Sequence, residues 1–317
     1  MVKSSFLSVS ARTLRVCGAV CALLPFTAAP VLAADPPAHA VLEVRKNSAG
    51  EETITHGVLI DSLPGGLIVT VAASVEDKAT FLVGPHPPSG ASGRQPTAAT
   101  VVLFDPASRV LFLKTTPALA GVAAVKLAAA PTTITTSLAW SPAEGPQPAI
   151  DAGPLRQLDG RPLALTLRRL HFGSSRESDR PVPGTPVFTT TGELAALPLS
   201  PLPDETGAWL GLPAAAIAKL AADYAAVGRA ETGQLDLGVA IGTTTPRIEF
   251  VKPGSRAQKA GLLQGDILLS LGGRPITDVF DVLDANFFLT AREPVTIRLL
   301  RGLETMSVTA PPVMPPK

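Results

Sequence analysis

Short runs of β-branched and other apolar residues recur along the first two thirds of the chain, each closed by Gly, Pro, Asp or Ser. Such runs fall at 40–44, 57–61, 66–71, 80–83, 100–104 and 110–114. Turn residues at this spacing predict an all-β barrel or sandwich. Residues 85–96 (PHPPSGASGRQP) cannot hold a ladder, because Pro removes donors and Gly and Ser loosen the backbone, so a flexible loop is expected between two strands. A second group of runs at 134–140, 163–170, 185–188 and 193–199 repeats the pattern. Two small barrels in tandem account for the repetition. The period then changes: residues 213–227 (PAAAIAKLAADYAAV) read as a helix, with Pro at its start and Gly228 just past its end. Ile217, Leu220, Tyr224 and Val227 share one stripe, as expected of a connecting helix docked on a barrel. Beyond it, strand-like 237–242, 247–251, 267–271, 295–300 and 305–309 surround a helix at 278–289, which predicts a compact α+β module. The Pro-rich residues 311–317 are expected to be a frayed, disordered tail.

Residues 1–33 stand apart. Lys3, Arg12 and Arg15 precede an apolar run at 16–24 and then Val31-Leu32-Ala33, the three parts of a secretory signal with cleavage expected after Ala33. An uncleaved anchor is the alternative, but Pro25 and Pro30 break the run, well short of the roughly 20 apolar residues that span a bilayer. The leader carries three of the 27 basic residues and none of the 26 acidic ones, so the remainder has a net charge of −2. That balance, with Lys and Arg scattered, excludes a polyanion-binding surface and makes nucleic acid no partner. Both cysteines, Cys17 and Cys21, lie in the leader, which leaves no thiol for a disulfide, a nucleophile or a zinc site. Aromatics make up only 4% of the chain, so Ala, Val and Leu must fill the cores. The expected division is a signal peptide at 1–33, a double barrel at 34–205, a connecting helix at 206–228, an α+β domain at 229–310 and a tail at 311–317. The expected location is periplasmic or secreted.

Residues 251–276 (VKPGSRAQKAGLLQGDILLSLGGRPI) resemble the bacterial type of PDZ domain, over roughly 234–310. Gly254 and Gly261 bracket a short helical turn, Gly265-Asp266 opens a strand whose Ile267 and Leu269 are expected to face inward, and Gly272-Gly273 supports a tight turn. The resemblance implies binding of extended peptides, commonly C-terminal tails, by strand addition beside a helix. In this chain the carboxylate loop would be Asp236-Leu237-Gly238-Val239. Leu237, Val239 and Ile241 would line the groove, Gly238 would turn amides toward the anion, and Leu283 and Phe287 would form the helix wall. Each of these side chains has an ordinary core role as its alternative.

Leader, domain order, helix and α+β module together resemble the HtrA group of exported trypsin-like serine proteases. The likeness continues through 57–75 (GVLIDSLPGGLIVTVAASV), 104–114 (FDPASRVLFLK) and 182–197 (VPGTPVFTTTGELAAL). The positions of the family's His, Asp and Ser then fall on Ala73, Arg109 and Pro183. Hydrolysis at such a site needs a hydroxyl nucleophile, a base, an orienting acid and main-chain amides for the oxyanion. Pro183 lacks both hydroxyl and N–H, so it would also delete an oxyanion donor. Other candidates are weak. Thr185 becomes a nucleophile only if the Pro186 match is discarded. His39, His56 (ahead of a strand), His86 and His171 lie outside the family's histidine context and read as solvated or structural. Asp204-Glu205 and Glu231 read as loop and helix-end charges, and Gly238-x-x-x-Gly242 holds no phosphate. No cofactor or metal site is expected.

The implied function is recognition of peptide or protein C-termini or unfolded segments by a catalytically dead relative of HtrA proteases. An active protease of the same family is a further expected partner. Two alternatives stand beside it: an active serine endopeptidase of envelope protein quality control whose nucleophile is misaligned, and an envelope assembly adaptor whose barrels position the groove.

Overall fold

The computed structural model describes residues 41–61, 66–85, 95–129, 138–139, 147–148, 170–173, 182–189, 191–199, 208–231 and 245–312. The leader, most of the Pro-rich loop and the end of the tail lie outside them. The chain is mostly β. Strands β1 (Val41–Ser48), β2 (Glu51–Ile60), β3 (Leu67–Val71), β4 (Thr80–Pro85), β5 (Thr97–Asp105) and β6 (Val110–Thr115) close a barrel in the order β1-β2-β3-β6-β5-β4. All six predicted runs are strands, several with longer ends. Ala49 and Gly50, both at positive φ (53° and 88°), make the tight turn that lets β2 begin at Glu51, six residues before the apolar run.

Strand β3 is buried at all five positions, and β6 at five of six. Their sequences, LIVTV and VLFLKT, do not alternate because both faces are covered. Ile68, Leu111 and Leu113 join Leu42, Val44, Phe81 and Val83 inside the barrel. Leu67, Val69, Val71, Val110 and Phe112 instead join the cluster that holds Phe188, Leu194, Leu197 and Leu212. These last four belong to or border a second, six-stranded sheet. It runs β8-β7-β10-β11-β12-β9, from β7 (Leu138–Ala139), β8 (Gln147–Pro148), β9 (Leu170–Gly173), β10 (Val187–Phe188), β11 (Leu194–Pro198) and β12 (Ala208–Pro213). Residues 208–213, expected in the connecting segment, are thus a strand paired with both β9 and β11. Period-2 burial is hard to read in AWLGLP, where a helix start follows at once.

Helix α1 (Ala214–Val227) starts after Pro213 and ends at Gly228, whose left-handed φ of 70° lets its N–H reach the Tyr224 carbonyl at 2.8 Å. Ile217 and Leu220 are fully buried in the larger cluster and Tyr224 packs against it, but Val227 at the frayed end is exposed. On the same helix the buried Asp223 pairs with Lys219 and accepts from the Glu231 amide at 2.9 Å. Glu231, read as a helix-end charge, is buried and takes Arg292 Nε at 2.8 Å.

The C-terminal module has the predicted α+β make-up. Helices α2 (Arg256–Lys259) and α3 (Val279–Phe288) accompany a sheet ordered β14-β13-β15-β16, built from β13 (Ile267–Leu271), β14 (Arg274–Pro275), β15 (Val295–Arg301) and β16 (Glu304–Ala310). Gly272 and Gly273, at φ of 57° and 82°, join β13 to β14. The inward residues of β13 are Leu268 and Leu271, not the expected Ile267 and Leu269. A shift in register between Leu268 and Ser270 against β15 interrupts simple alternation. Residues 247–251, expected as a strand, form only a bridge from Arg247 to Ile267.

Candidate functional site

Strand β3 ends at Val71, which pairs with Val110 of β6. The next amide, Ala72 N–H, donates to the Arg109 carbonyl at 3.0 Å, so Ala73 follows directly beside the β5–β6 turn. That turn is organised by Asp105. Its buried carboxylate accepts from the Ser108 amide at 2.9 Å and hydroxyl at 2.5 Å, while its carbonyl takes the Arg109 amide at 2.8 Å. The wrap leaves Arg109 in the left-handed region, at φ 65°, where a side chain costs about 1–2 kcal/mol.

On the opposite side of β3 the Thr70 hydroxyl donates to the His56 carbonyl at 2.6 Å. The His56 amide donates to the Pro183 carbonyl at 2.8 Å, and Gly184 N–H donates to Pro198 O at 2.7 Å. Gly184 sits at φ 81°, and a Cβ there would stand 2.0 Å from the His56 carbonyl oxygen, so only glycine permits this approach. The Arg109 carbonyl is thus bonded just past the end of β3, and the Pro183 carbonyl is bonded to β2, the strand beside it. The chemistry present is a methyl group, a guanidinium and a ring without N–H. None can supply a nucleophile or take a proton at neutral pH.

Sequence reasoning missed one pair. His56 lies within β2, buried, not ahead of a strand, and its Nδ1 is 2.9 Å from Thr185 Oγ1. An imidazole beside a hydroxyl has the form of a base and a nucleophile. One contact opposes that use: the Val182 carbonyl competes with the imidazole for the Thr185 hydroxyl, which donates to it at 2.6 Å. Thr185 is also only 1% exposed, which closes it to a peptide carbonyl. The residues of this pair are 129 positions apart, and nothing local to either one signals the other.

In the C-terminal module, Leu237, Gly238, Val239 and Ile241 lie outside the described residues. Leu283 is half-buried on α3. Phe287 is 2% exposed and belongs to the same buried cluster as Ile217 and Leu220, so its ring is core and not an open wall. Its helical position suits either role, and only packing separates them. Arg274 stacks 3.5 Å over the neighbouring Phe288 ring and reaches Asp284 at 3.0 Å. Among the described residues, no group of three His, Cys, Asp or Glu side chains could hold a metal ion. Among them also, no helix is long and apolar enough to cross a membrane.

No protein-family model matches the chain. A stretch of 58 residues, 18% of the chain, is 45% identical to a putative zinc metalloprotease of Rhizobium meliloti (strain 1021), R01501, and covers 15% of that protein's length. Among solved structures, a serine endoprotease from Yersinia pestis superposes with a TM-score of 0.56 at 20% identity, over 87% of this chain and 94% of its own. The HtrA-type protease AlgW with a decapeptide gives a TM-score of 0.58 at 16% identity, over 90% and 99%. The same protease with a tripeptide gives 0.58 at 18%, over 89% and 96%. At such identities the likeness concerns backbone alone, and what the chain shares with these proteins is the mostly β, trypsin-like fold of HtrA-type serine proteases.

Proposed function

We propose that this protein is an exported binding protein, an inactive relative of HtrA-type serine proteases that recognises peptide or protein C-termini or extended segments through its C-terminal PDZ-like module. What supports this reading is the chemistry beside β3: Ala73, Arg109 and Pro183 stand where the sequence resemblance puts the triad, and the nearby hydroxyl of Thr185 is buried and bonded to the Val182 carbonyl. Hydrolysis without a nucleophile, a base or the Pro183 amide has no chemical route at this site. Peptide binding is supported by the PDZ-like motif at 251–276 and by the sheet of four strands with α3 beside it. Two of the superposed structures, of the HtrA-type protease AlgW, are complexes with a decapeptide and a tripeptide, and those peptides motivate the assay.

The full chain is expected to be retained on beads carrying peptides with a free, apolar C-terminal residue and released when that terminus is amidated. It is expected to leave unfolded casein intact and to escape labelling by a fluorophosphonate. Labelling at one Ser or Thr, with casein cleavage lost on its substitution, would establish the endopeptidase reading instead. The His56–Thr185 contact singles out Thr185 as the first residue to substitute in that control.

A further inference from the structure

Strand β5 outruns its partner on one side. It pairs with β6 from Ala99 to Asp105, but with β4 only through Thr97, Ala98 and Ala99. Beyond that point the chain leading into β4 turns away, with Ala79 N–H donating to Glu76 O at 2.9 Å. Among the described residues no main-chain hydrogen bond joins 100–104 to 75–79. Where β4 and β5 part lies a cavity of about 490 Å³, lined by Val75, Glu76, Asp77, Leu82, Ala98 and Val101.

Three features converge on this gap. The main chain of 100–104 is left without a neighbour on that edge, although the barrel is closed elsewhere. The residues on it, Thr-Val-Val-Leu-Phe, contain none of the Lys or Pro that natural edge strands use against pairing. Its approach is apolar, with Leu82 40% and Val101 41% exposed, while the rim is acidic. There Glu76 is held ionised by Lys46 and by the Ser74 hydroxyl, its pKa lowered to about 2, and Asp77 is exposed with no ion pair among the described residues. An unpaired edge is matched by another main chain, an apolar floor by alternate apolar side chains, and the free carboxylate by a cation.

We propose that the open half-edge of β5 binds an extended peptide segment of another protein by strand addition, with apolar side chains over Leu82 and Val101 and a basic residue at Asp77. Five edge residues give a footprint of about 17 Å. The site lies on the first barrel and is independent of any groove in the C-terminal module.

The test uses the full chain and a fluorescent hexapeptide, Arg-Val-Thr-Val-Thr-Val, acetylated and amidated so that a groove capturing free C-termini cannot respond. Anisotropy should show saturable binding, weakened about tenfold or more by Val101→Lys and less by Asp77→Lys, both exposed positions where folding, read by circular dichroism, should be unchanged. Two further peptides carry N-methyl groups on alternate amides. Strand addition predicts that one set loses binding and the other keeps it within about twofold, because only alternate amides face β5. Equal behaviour of the two sets, or no response to Val101→Lys, overturns the proposal, and so does self-association abolished by Val101→Lys without peptide binding, which would assign the edge to a second copy. If Val101→Lys fails to fold, the methylated pair decides the question on the unaltered chain.

Discussion

The first barrel and the C-terminal module each bury a continuous apolar cluster, yet they secure their turns and edges by different means. In the barrel, closure supplies most main-chain partners, so β3 and β6 can be apolar on both faces. The module's sheet is open, and charged side chains complete the main chain. Arg301 binds Asp266 through two 2.7 Å bonds and the Gly261 carbonyl at 2.8 Å, and buried Arg256 reaches Pro311 O and Glu293 O. Asp281 takes the Thr277 amide at 2.7 Å ahead of α3. A closed sheet spends its sequence on volume, and an open one must spend part of it on charge.

Volume should therefore dominate the barrel. Phe112→Ala, at a fully buried position shared with the second sheet and α1, is expected to cost about 4 kcal/mol in urea unfolding. A loss below about 1 kcal/mol would mean that the two layers are not packed as described.

Charge should dominate the module. Arg301→Ala leaves Asp266, 1% exposed, without its counter-ion, and about 2 kcal/mol is expected, reduced from the fully buried case because Arg301 is partly solvated. Its pH dependence is the sharper sign. Burial pushes the Asp266 carboxyl up, but the Arg301 hydrogen bonds, the Leu263 amide and the Arg301 charge together carry it below the ordinary value. A lowered folded value contributes stability above about pH 4 that is lost as pH falls through it. In Arg301→Ala burial opposes only the Leu263 bond, so that acid-side loss should vanish or reverse, as read from thermal unfolding at pH 7 and pH 3.

Smaller effects mark the boundaries between these regimes. Arg109→Gly relieves a left-handed side chain in the barrel's β5–β6 turn and should stabilise the chain by about 1 kcal/mol in the same urea titration. Arg292→Ala breaks the pair with Glu231 that ties the module to the end of α1; with Arg292 half exposed, a change under about 1 kcal/mol is expected by calorimetry.

The elements were legible where one local rule decides them. Pro213 and Gly228 bound α1 because each has a fixed backbone preference, and the Gly272-Gly273 turn follows from the same cause. Alternation misled at β13, where a register shift brings Leu268 and Leu271 inward, and at Phe287, where helical spacing suits both groove and core. The residue types at Ala73, Arg109 and Pro183 could be read directly, since a residue's identity needs no geometry. The bond between His56 and Thr185 could not, because it depends on Gly184 letting the loop lie against β2.

By itself the sequence determined which atoms are on offer: strands from their period, turns from glycine and proline, and the residue types at Ala73, Arg109 and Pro183. Tertiary structure alone decided which of them meet. It bonded buried His56 to Thr185, joined Glu231 to Arg292, gave Phe287 to the core and left half of one edge of β5 without a paired strand. Local preference acts over a few residues of chain, whereas burial and pairing depend on where distant segments are brought together, and no window of sequence contains that distance.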